Sequence, residues 1–168
     1  MDVPSPDFAE AFRRAMRGIA GTAHLVTTSD TAGTWHGLAA TAVTSVSMDP
    51  PSLLICVNRA ASTRSPIEAR GAFCVNVLAA DHQDHCSRFG RPEDRHNRFN
   101  HGDWRERDGL PYLVDAQAAI FCDVAQTVGH GTHIVFIGNV RDIVLARRTA
   151  NPLIYLDRGF VSLAAQLA

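Results

Sequence analysis

Two β-rich runs on either side of a proline corner constrain this chain most. Thr41-Ala-Val-Thr-Ser-Val-Ser47 and Ser52-Leu-Leu-Ile-Cys-Val57 flank Asp49-Pro50-Pro51. Neither proline has an amide to give to a sheet ladder, so pairing must break there and the chain must turn between two strands. The second run leads into Asn58-Arg-Ala-Ala-Ser-Thr63, small residues with one guanidinium and no acid. Its backbone amides, the Ser62 and Thr63 hydroxyls and the Arg59 fork are donors suited to a phosphate, and the stretch reads as a phosphate-bearing cofactor site on a sheet edge. Ser and Thr also open helices, and a helix start is itself an anion site, so those two readings are compatible. For Arg59 the plain alternative is a solvated surface side chain.

The rest of the chain is mostly extended. Ser5-Pro6-Asp7 has the chemistry of a helix start, and Phe8, Phe12, Met16 and Ile19 recur at helical spacing before Gly21. The period then changes. His24–Thr28 reads as a strand and Asp30–Gly33 as a turn, and Trp35 opens a β-run that continues to Ser47. Ser52–Val57 is apolar enough to be buried on both faces. Thr63–Arg70 reads as a short helix closed by Gly71, Ala72–Leu78 as a strand, and Asp81–Phe89 as a helix with Asp81 as cap. Residues 90–108 are polar and weakly periodic, a surface excursion anchored by Phe99 and Trp104. Strands return at Ala118–Val128 and His133–Leu145 around a turn at Gly129–Thr132, and Ile154-Tyr155 is the last strand candidate. Many strands and few short helices predict a mainly β chain, a closed or nearly closed barrel with a few peripheral helices, rather than a doubly wound sheet.

At 168 residues the chain reads as one domain, 1–168, and its formal charge of −1 gives no reason to expect nucleic acid or an anionic membrane as partner. Cys56, Cys74, Cys86 and Cys122 form no CxxC pair. Cys56 and Cys74 sit in apolar runs and are expected as reduced core thiols of a cytoplasmic protein. The first residues carry no basic start and no apolar signal core, and no segment reaches membrane-spanning length.

An ordered set of short motifs is more specific than any one of them. Phe12-Arg-Arg-Ala, Val26-Thr-Thr, His36-Gly-Leu-Ala-Ala-Thr-Ala and Ser45-Val-Ser-Met-Asp-Pro-Pro come first. Cys56-Val-Asn-Arg-Ala-Ala-Ser-Thr63, Phe73-Cys-Val-Asn-Val-Leu78, Gly131-Thr-His-Ile-Val-Phe-Ile-Gly-Asn-Val140 and Pro152-Leu-Ile-Tyr155 with Arg158-Gly159 follow. In that order they resemble the short-chain flavin reductases of the FMN-binding split-barrel superfamily, the reductase components of two-component flavin monooxygenases. The resemblance runs from about Phe12 to Phe160. It implies a homodimeric split β-barrel that reduces FMN or FAD with NADH or NADPH and passes reduced flavin to a separate flavin-dependent monooxygenase. It further implies that Thr41, Ala42, Val43, Thr44 and Ser45 lie along the isoalloxazine, largely through backbone groups. Cys56, Val57 and Asn58 would border the ring and ribityl chain, Arg59 to Ser62 and Thr63 would reach the phosphate, and His133 would meet the nicotinamide. Relatives usually carry Gly-Asp-His where this chain has Gly131-Thr132-His133, so the His is kept and the acid is lost. If that acid orients the His, as carboxylates often do, the change bears on pH dependence and nicotinamide affinity.

The residues suit such chemistry. Hydride passes between two cofactor rings, so the protein need only stack them and leave the acceptor atom open. Ala39, Ala40 and Ala42 let a planar ring lie close to backbone, although the same residues also make a tightly packed strand. His133 is read as a positioning group, since hydride transfer needs no acid in its slow step; the plain reading is a satisfied barrel histidine. His82, His85, Cys86, His96 and His101 lack a second cysteine at zinc spacing, and no metal is expected. Arg88, Arg91, Arg95 and Arg98 are offset by nearby acids and read as a solvated face, with contact to dinucleotide phosphates as the sharper alternative. Two rival functions stand beside the reductase: a flavoenzyme with tightly bound flavin acting on an organic substrate, and a non-catalytic flavin- or haem-binding module.

Overall fold

The computed structural model describes residues 6–147, 149–161 and 163. In chain order the elements are α1 (Pro6–Arg17), β1 (Gly21–Thr22), β2 (His24–Ser29), β3 (Trp35–Ala40), β4 (Val43–Met48), β5 (Pro51–Asn58), α2 (Arg64–Arg70) and β6 (Ala72–Val77). A 3-10 turn, Ala80–His82, precedes α3 (Gln83–Gly90). Then come β7 (Trp104–Arg107), β8 (Leu110–Leu113), β9 (Ala118–His130), β10 (His133–Leu145), β11 (Ile154–Leu156) and β12 (Gly159–Val161).

Seven strands form an antiparallel sheet in the order β3-β2-β6-β9-β10-β5-β4. Its two edge strands, β3 and β4, are consecutive in the chain and joined only by Thr41 and Ala42. Such a link spans about 11 Å at most, so the sheet must curl until its edges approach at that end. The result is a barrel split between β3 and β4. Period-2 alternation divides the side chains between its faces. Val26, Ile55, Val57, Phe73, Val75 and Phe136 pack inside. Their chain neighbours Leu25 and Cys74 face outward, the first against Phe89 and Leu113, the second against Leu110 and Phe121. Inside there is no room for a side chain at residue 138: a Cβ there would lie 2.7 Å from both Cys122 Cβ and Phe73 Cζ, next to a bulge in the β9–β10 ladder.

β2 is buried along its whole length, although half of it is Thr and Ser. Its hydroxyls are satisfied by backbone: Thr28 Oγ1 donates to Ala72 O at 2.8 Å and Ser29 Oγ to Gly109 O at 2.6 Å, while Thr27 Oγ1 donates to Pro111 O. Asn76 receives the Leu113 amide at 2.8 Å and donates to Leu25 O at 3.1 Å. The bonds to Gly109, Pro111 and Leu113 hold the β7–β8 hairpin against the barrel.

Several expectations change. The β-run from Trp35 to Ser47 is two strands on opposite sheet edges, because the backbone folds sharply at Thr41, whose carbonyl accepts the Val43 amide at 2.9 Å. β5 is not buried on both faces; Leu53, Ile55 and Val57 point in, while Cys56 and Asn58 look outward. Helix α1 stops at Arg17, and Gly21 begins β1; the expected Ser5 cap lies outside the described residues. Asp81 does not cap α3: its carboxylate receives Arg147 at 3.0 Å, and His82 holds the cap position. The excursion at residues 90–108 contains β7, with Phe99 and Trp104 as its anchors at 4.9 Å between ring centroids. The β9–β10 turn is tighter than expected, since His130 already pairs with His133. β12 follows β11 unannounced. No helix among the described residues is long and apolar enough to cross a membrane.

Candidate active site at the barrel split

The fold at Thr41 opens a cavity of about 500 Å³ at the split, within the range of small-molecule sites, about 300–1,000 Å³. One wall is the end of β3 and the link, Leu38 to Ala42, tied to β5 by the Cys56 amide donating to Ala42 O at 3.1 Å. Small side chains there leave backbone accessible to a flat ligand. The floor is the outward face of β5, Cys56 and Asn58. Asn58 then bends the chain over the strand end: its Oδ1 accepts the Ala60 amide at 2.8 Å and its carbonyl the Ala61 amide at 2.9 Å. That turn brings Ala60, Ala61, Ser62 and Thr63 onto the same cavity. Thr63 holds the cap position of α2, but its hydroxyl makes no capping bond.

Of the residues expected at a flavin site, Thr41, Ala42, Cys56, Asn58, Ser62, Thr63 and His133 line this cavity together. Val43, Thr44, Ser45, Val57 and Arg59 do not. Val57 points into the barrel core and Val43 packs against it, while Thr44 and Ser45 are exposed on the edge strand. Alternation decides this, because in a strand only every second side chain can face a given cavity. Cys56 is thus a cavity residue rather than the core thiol expected, and only Cys74, Cys86 and Cys122 are buried. Burial pushes the Cys86 thiol up to about 11 and Cys122 to about 12, so both are inert. None of the four cysteines is paired.

Arg59 lies across the β9–β10 turn, where Nε donates to Gly131 O at 2.9 Å and its own amide to Thr132 O at 2.9 Å. It therefore braces the turn that carries His133. The His133 ring stands at the cavity rim, opposite Asn58 in the β10–β5 register, with Nδ1 at 2.9 Å from Thr132 Oγ1. The group beside that ring nitrogen is a neutral hydroxyl.

The far wall was missed. Phe89, Gly90, Pro92, Arg95 and Arg98 close the cavity from α3 and the segment after it. Arg98 is only 8% exposed. It donates to Gly37 O at 2.7 Å, Arg91 O at 2.8 Å and Arg88 O at 3.3 Å, and burial lowers its guanidinium below the ordinary value. Five N–H donors serve three carbonyls, which leaves capacity on a cation already desolvated. The offsetting acids nearby make this series read as a solvated face, with phosphate contact as the alternative. The signal was the neighbouring Phe99, whose ring packs on Phe89 at 5.1 Å and draws the Arg98 turn inward. The site needs a glycine at residue 37, where a Cβ would lie 2.5 Å from Phe89 Cε1.

The histidine-rich segment lies elsewhere. The buried His82 ring accepts the Ala79 amide at 3.2 Å and faces Asp115 at 3.3 Å. Among the described residues no three His, Cys, Asp or Glu side chains stand close enough to share a metal.

Residues 16–164 match the family model of the flavin reductase like domain. The chain is 40% identical over 155 residues to the FMN reductase (NADH) RutF of Variovorax paradoxus, covering 92% of this chain and 85% of that one. It is 39% identical over 146 residues to the reductase component of the FADH2-dependent resorcinol hydroxylase of a Rhizobium species, covering 86% and 81%. Among solved structures, the flavin reductase PheA2 superposes with a TM-score of 0.82 at 31% identity, over 92% of this chain and 97% of that one.

Proposed function

Because the chain belongs to the flavin reductase like family, we propose that it is an NADH-dependent flavin reductase that delivers diffusible reduced flavin to a separate monooxygenase. The carrying observation is the convergence on one cavity of Thr41-Ala42, Cys56, Asn58, Ser62-Thr63 and His133, with no carboxylate in its lining. The residues fit a flavin. Ala39, Ala40 and Ala42 make a flat, small-residue wall for the isoalloxazine; Cys56 and Asn58 border the ribityl chain; Ser62 and Thr63 receive the phosphate, and Arg95 and Arg98 supply positive charge across from them. Flavin, when bound, supplies the hydride-accepting N5 atom. The protein holds the ring, keeps one face open and orients the incoming nicotinamide with His133 at the rim. His133 is exposed, as a group meeting a co-substrate that comes and goes must be.

The relatives' names support NADH, FMN or FAD, and an oxygenase partner. A homodimer fits the apolar side chains left in solvent on α1 and just beyond it, Phe12 at 60% and Ile19 at 62% exposed. Four unpaired cysteines and a nicotinamide co-substrate fit the cytoplasm.

The test is NADH oxidation with added FMN or FAD on desalted protein. Turnover that saturates with added flavin is expected; flavin retained through desalting, with turnover of an organic substrate, would replace this reading. Replacing Ser62 and Thr63 together with Ala should weaken FMN at least tenfold while riboflavin binding falls little, since each hydrogen bond to a charged group contributes about 1.5 kcal/mol or more. Equal losses for both ligands would remove the phosphate from this loop.

A further inference from the structure

Arg59 points the opposite way from the loop that carries it. On either side of it, Asn58 and Ala60 to Thr63 line the cavity, while Arg59 turns onto the β9–β10 hairpin. It holds that hairpin at three places. Its Nε donates to Gly131 O and its backbone amide to Thr132 O, both at 2.9 Å. Its guanidinium also fills the space beside Gly129, where a Cβ would collide with Nη2. His130 pairs with His133, so Gly131 and Thr132 are the central residues of the turn, and one arginine donates to both of their carbonyls.

The turn is a place where such a hold matters. β6 pairs with β9 only as far as Asp123, whereas β5 follows β10 out to the rung of Asn58 against His133. The tip of the hairpin is therefore ladder-bonded to the barrel along one side, and hydrogen bonds at its carbonyls decide where it rests. Past the last rung Arg59 ties the turn to the end of β5. The next link is short: Thr132 Oγ1 stands 2.9 Å from His133 Nδ1. On the other side of Arg59, Asn58 makes the loop move as a unit, since its Oδ1 and its carbonyl hold the Ala60 and Ala61 amides at 2.8 and 2.9 Å.

We propose that Arg59 is a positioning residue that couples the flavin loop to His133. When the Ser62 and Thr63 hydroxyls take a flavin phosphate, the segment from Asn58 to Thr63 is fixed, and Arg59 passes that order to the turn and so to the ring that meets the nicotinamide. The coupling deepens the reductase reading and rests on it. Order supplied by the first ligand need not be supplied again by the second, so a flavin with a phosphate favours nicotinamide binding, and nicotinamide favours that flavin by the same factor.

The experiment compares FMN with riboflavin, which has no phosphate, in the wild-type chain and three variants. Arg59→Met removes the side-chain donors, Arg59→Lys keeps one, and Gly129→Ala displaces the guanidinium without removing its charge. The first readout needs no turnover: the His133 ring is followed by NMR as each flavin is added to flavin-free protein. In wild type FMN moves the ring resonances further than riboflavin does, and in Arg59→Met and Gly129→Ala the two flavins act alike. The second readout is the NADH KM at saturating flavin, about fivefold lower with FMN than with riboflavin in wild type, the scale of one hydrogen bond. Arg59→Met and Gly129→Ala each remove that difference with FMN affinity unmoved, and the two together remove no more than either alone. Arg59→Lys restores part of it. Equal responses to the two flavins in wild type overturn the coupling. So does an Arg59→Met chain that binds FMN more weakly against riboflavin while the NADH KM and the His133 ring stay as they were, which would make Arg59 a phosphate ligand. Failure of the reductase reading is separate, since it shows as no flavin-dependent NADH oxidation by wild type with the His133 response intact.

Discussion

Thr132 shows how one side chain can change what its neighbour does. Its hydroxyl stands 2.9 Å from His133 Nδ1 and fixes the ring without adding charge. Arg59 holds the turn from below through Gly131 O and Thr132 O. A neutral hydrogen bond is worth about 1 kcal/mol, or roughly fivefold in an equilibrium. Thr132→Ala should therefore raise the nicotinamide KM about fivefold with flavin affinity unmoved, and Thr132→Ser should restore it. A KM indifferent to both changes would mean that the ring is held by the turn alone. His133→Ala should have the larger effect on the same parameter.

At the scale of an element, β2 sets the acid limit of the fold. It lies between β3 and β6 and is buried throughout, and His24 at its start pairs with Ala40, which lines the candidate site. Burial lowers the His24 imidazole to about 4, partly offset by the backbone of Ala40 and Thr22, and its Nδ1 has no hydrogen-bond partner. The unfolded chain, with an ordinary histidine near 6.5, takes up the proton first. Between these values the unfolded state binds more protons, so stability rises with pH across that window and is lost as pH falls from about 6.5 to about 4. The loss amounts to about 3 kcal/mol. Denaturant melts of His24→Leu should show a flatter dependence across that window than wild type, and parallel curves would assign the acid sensitivity to other groups.

On the scale of the whole molecule, the unburied apolar surface is as informative as the core. Phe12, Met16 and Ile19 are exposed along and just beyond α1, and Met48 and Leu145 stand at 84% and 77% exposure near strand ends. Isolated exposed apolar residues are ordinary, but several on one amphipathic helix mark a surface made to be covered. Light scattering should give twice the chain mass, and Phe12→Glu with Ile19→Glu should shift it toward the monomer. An unchanged mass in that double variant would place the subunit contact elsewhere.

Sequence by itself determined the mainly β character of the chain and the loop that matters most. The prolines at 50 and 51 forced a corner, Gly71 closed α2 with φ of 68°, and Asn58 to Thr63 had no acid to repel an anion. Those are local facts, set by missing donors, backbone freedom and charge. Tertiary structure decided the rest. Whether Trp35 to Ser47 is one strand or two depends on a bend at Thr41, and the same β-prone residues suit either outcome. Which of Cys56 and Val57 faces ligand depends on which side of β5 the barrel encloses. Arg98 leaves solvent because Phe89, Phe99 and Trp104 pack together and carry its turn to Gly37. Gly37 and Arg98 lie 61 residues apart, and only the tertiary fold sets them side by side.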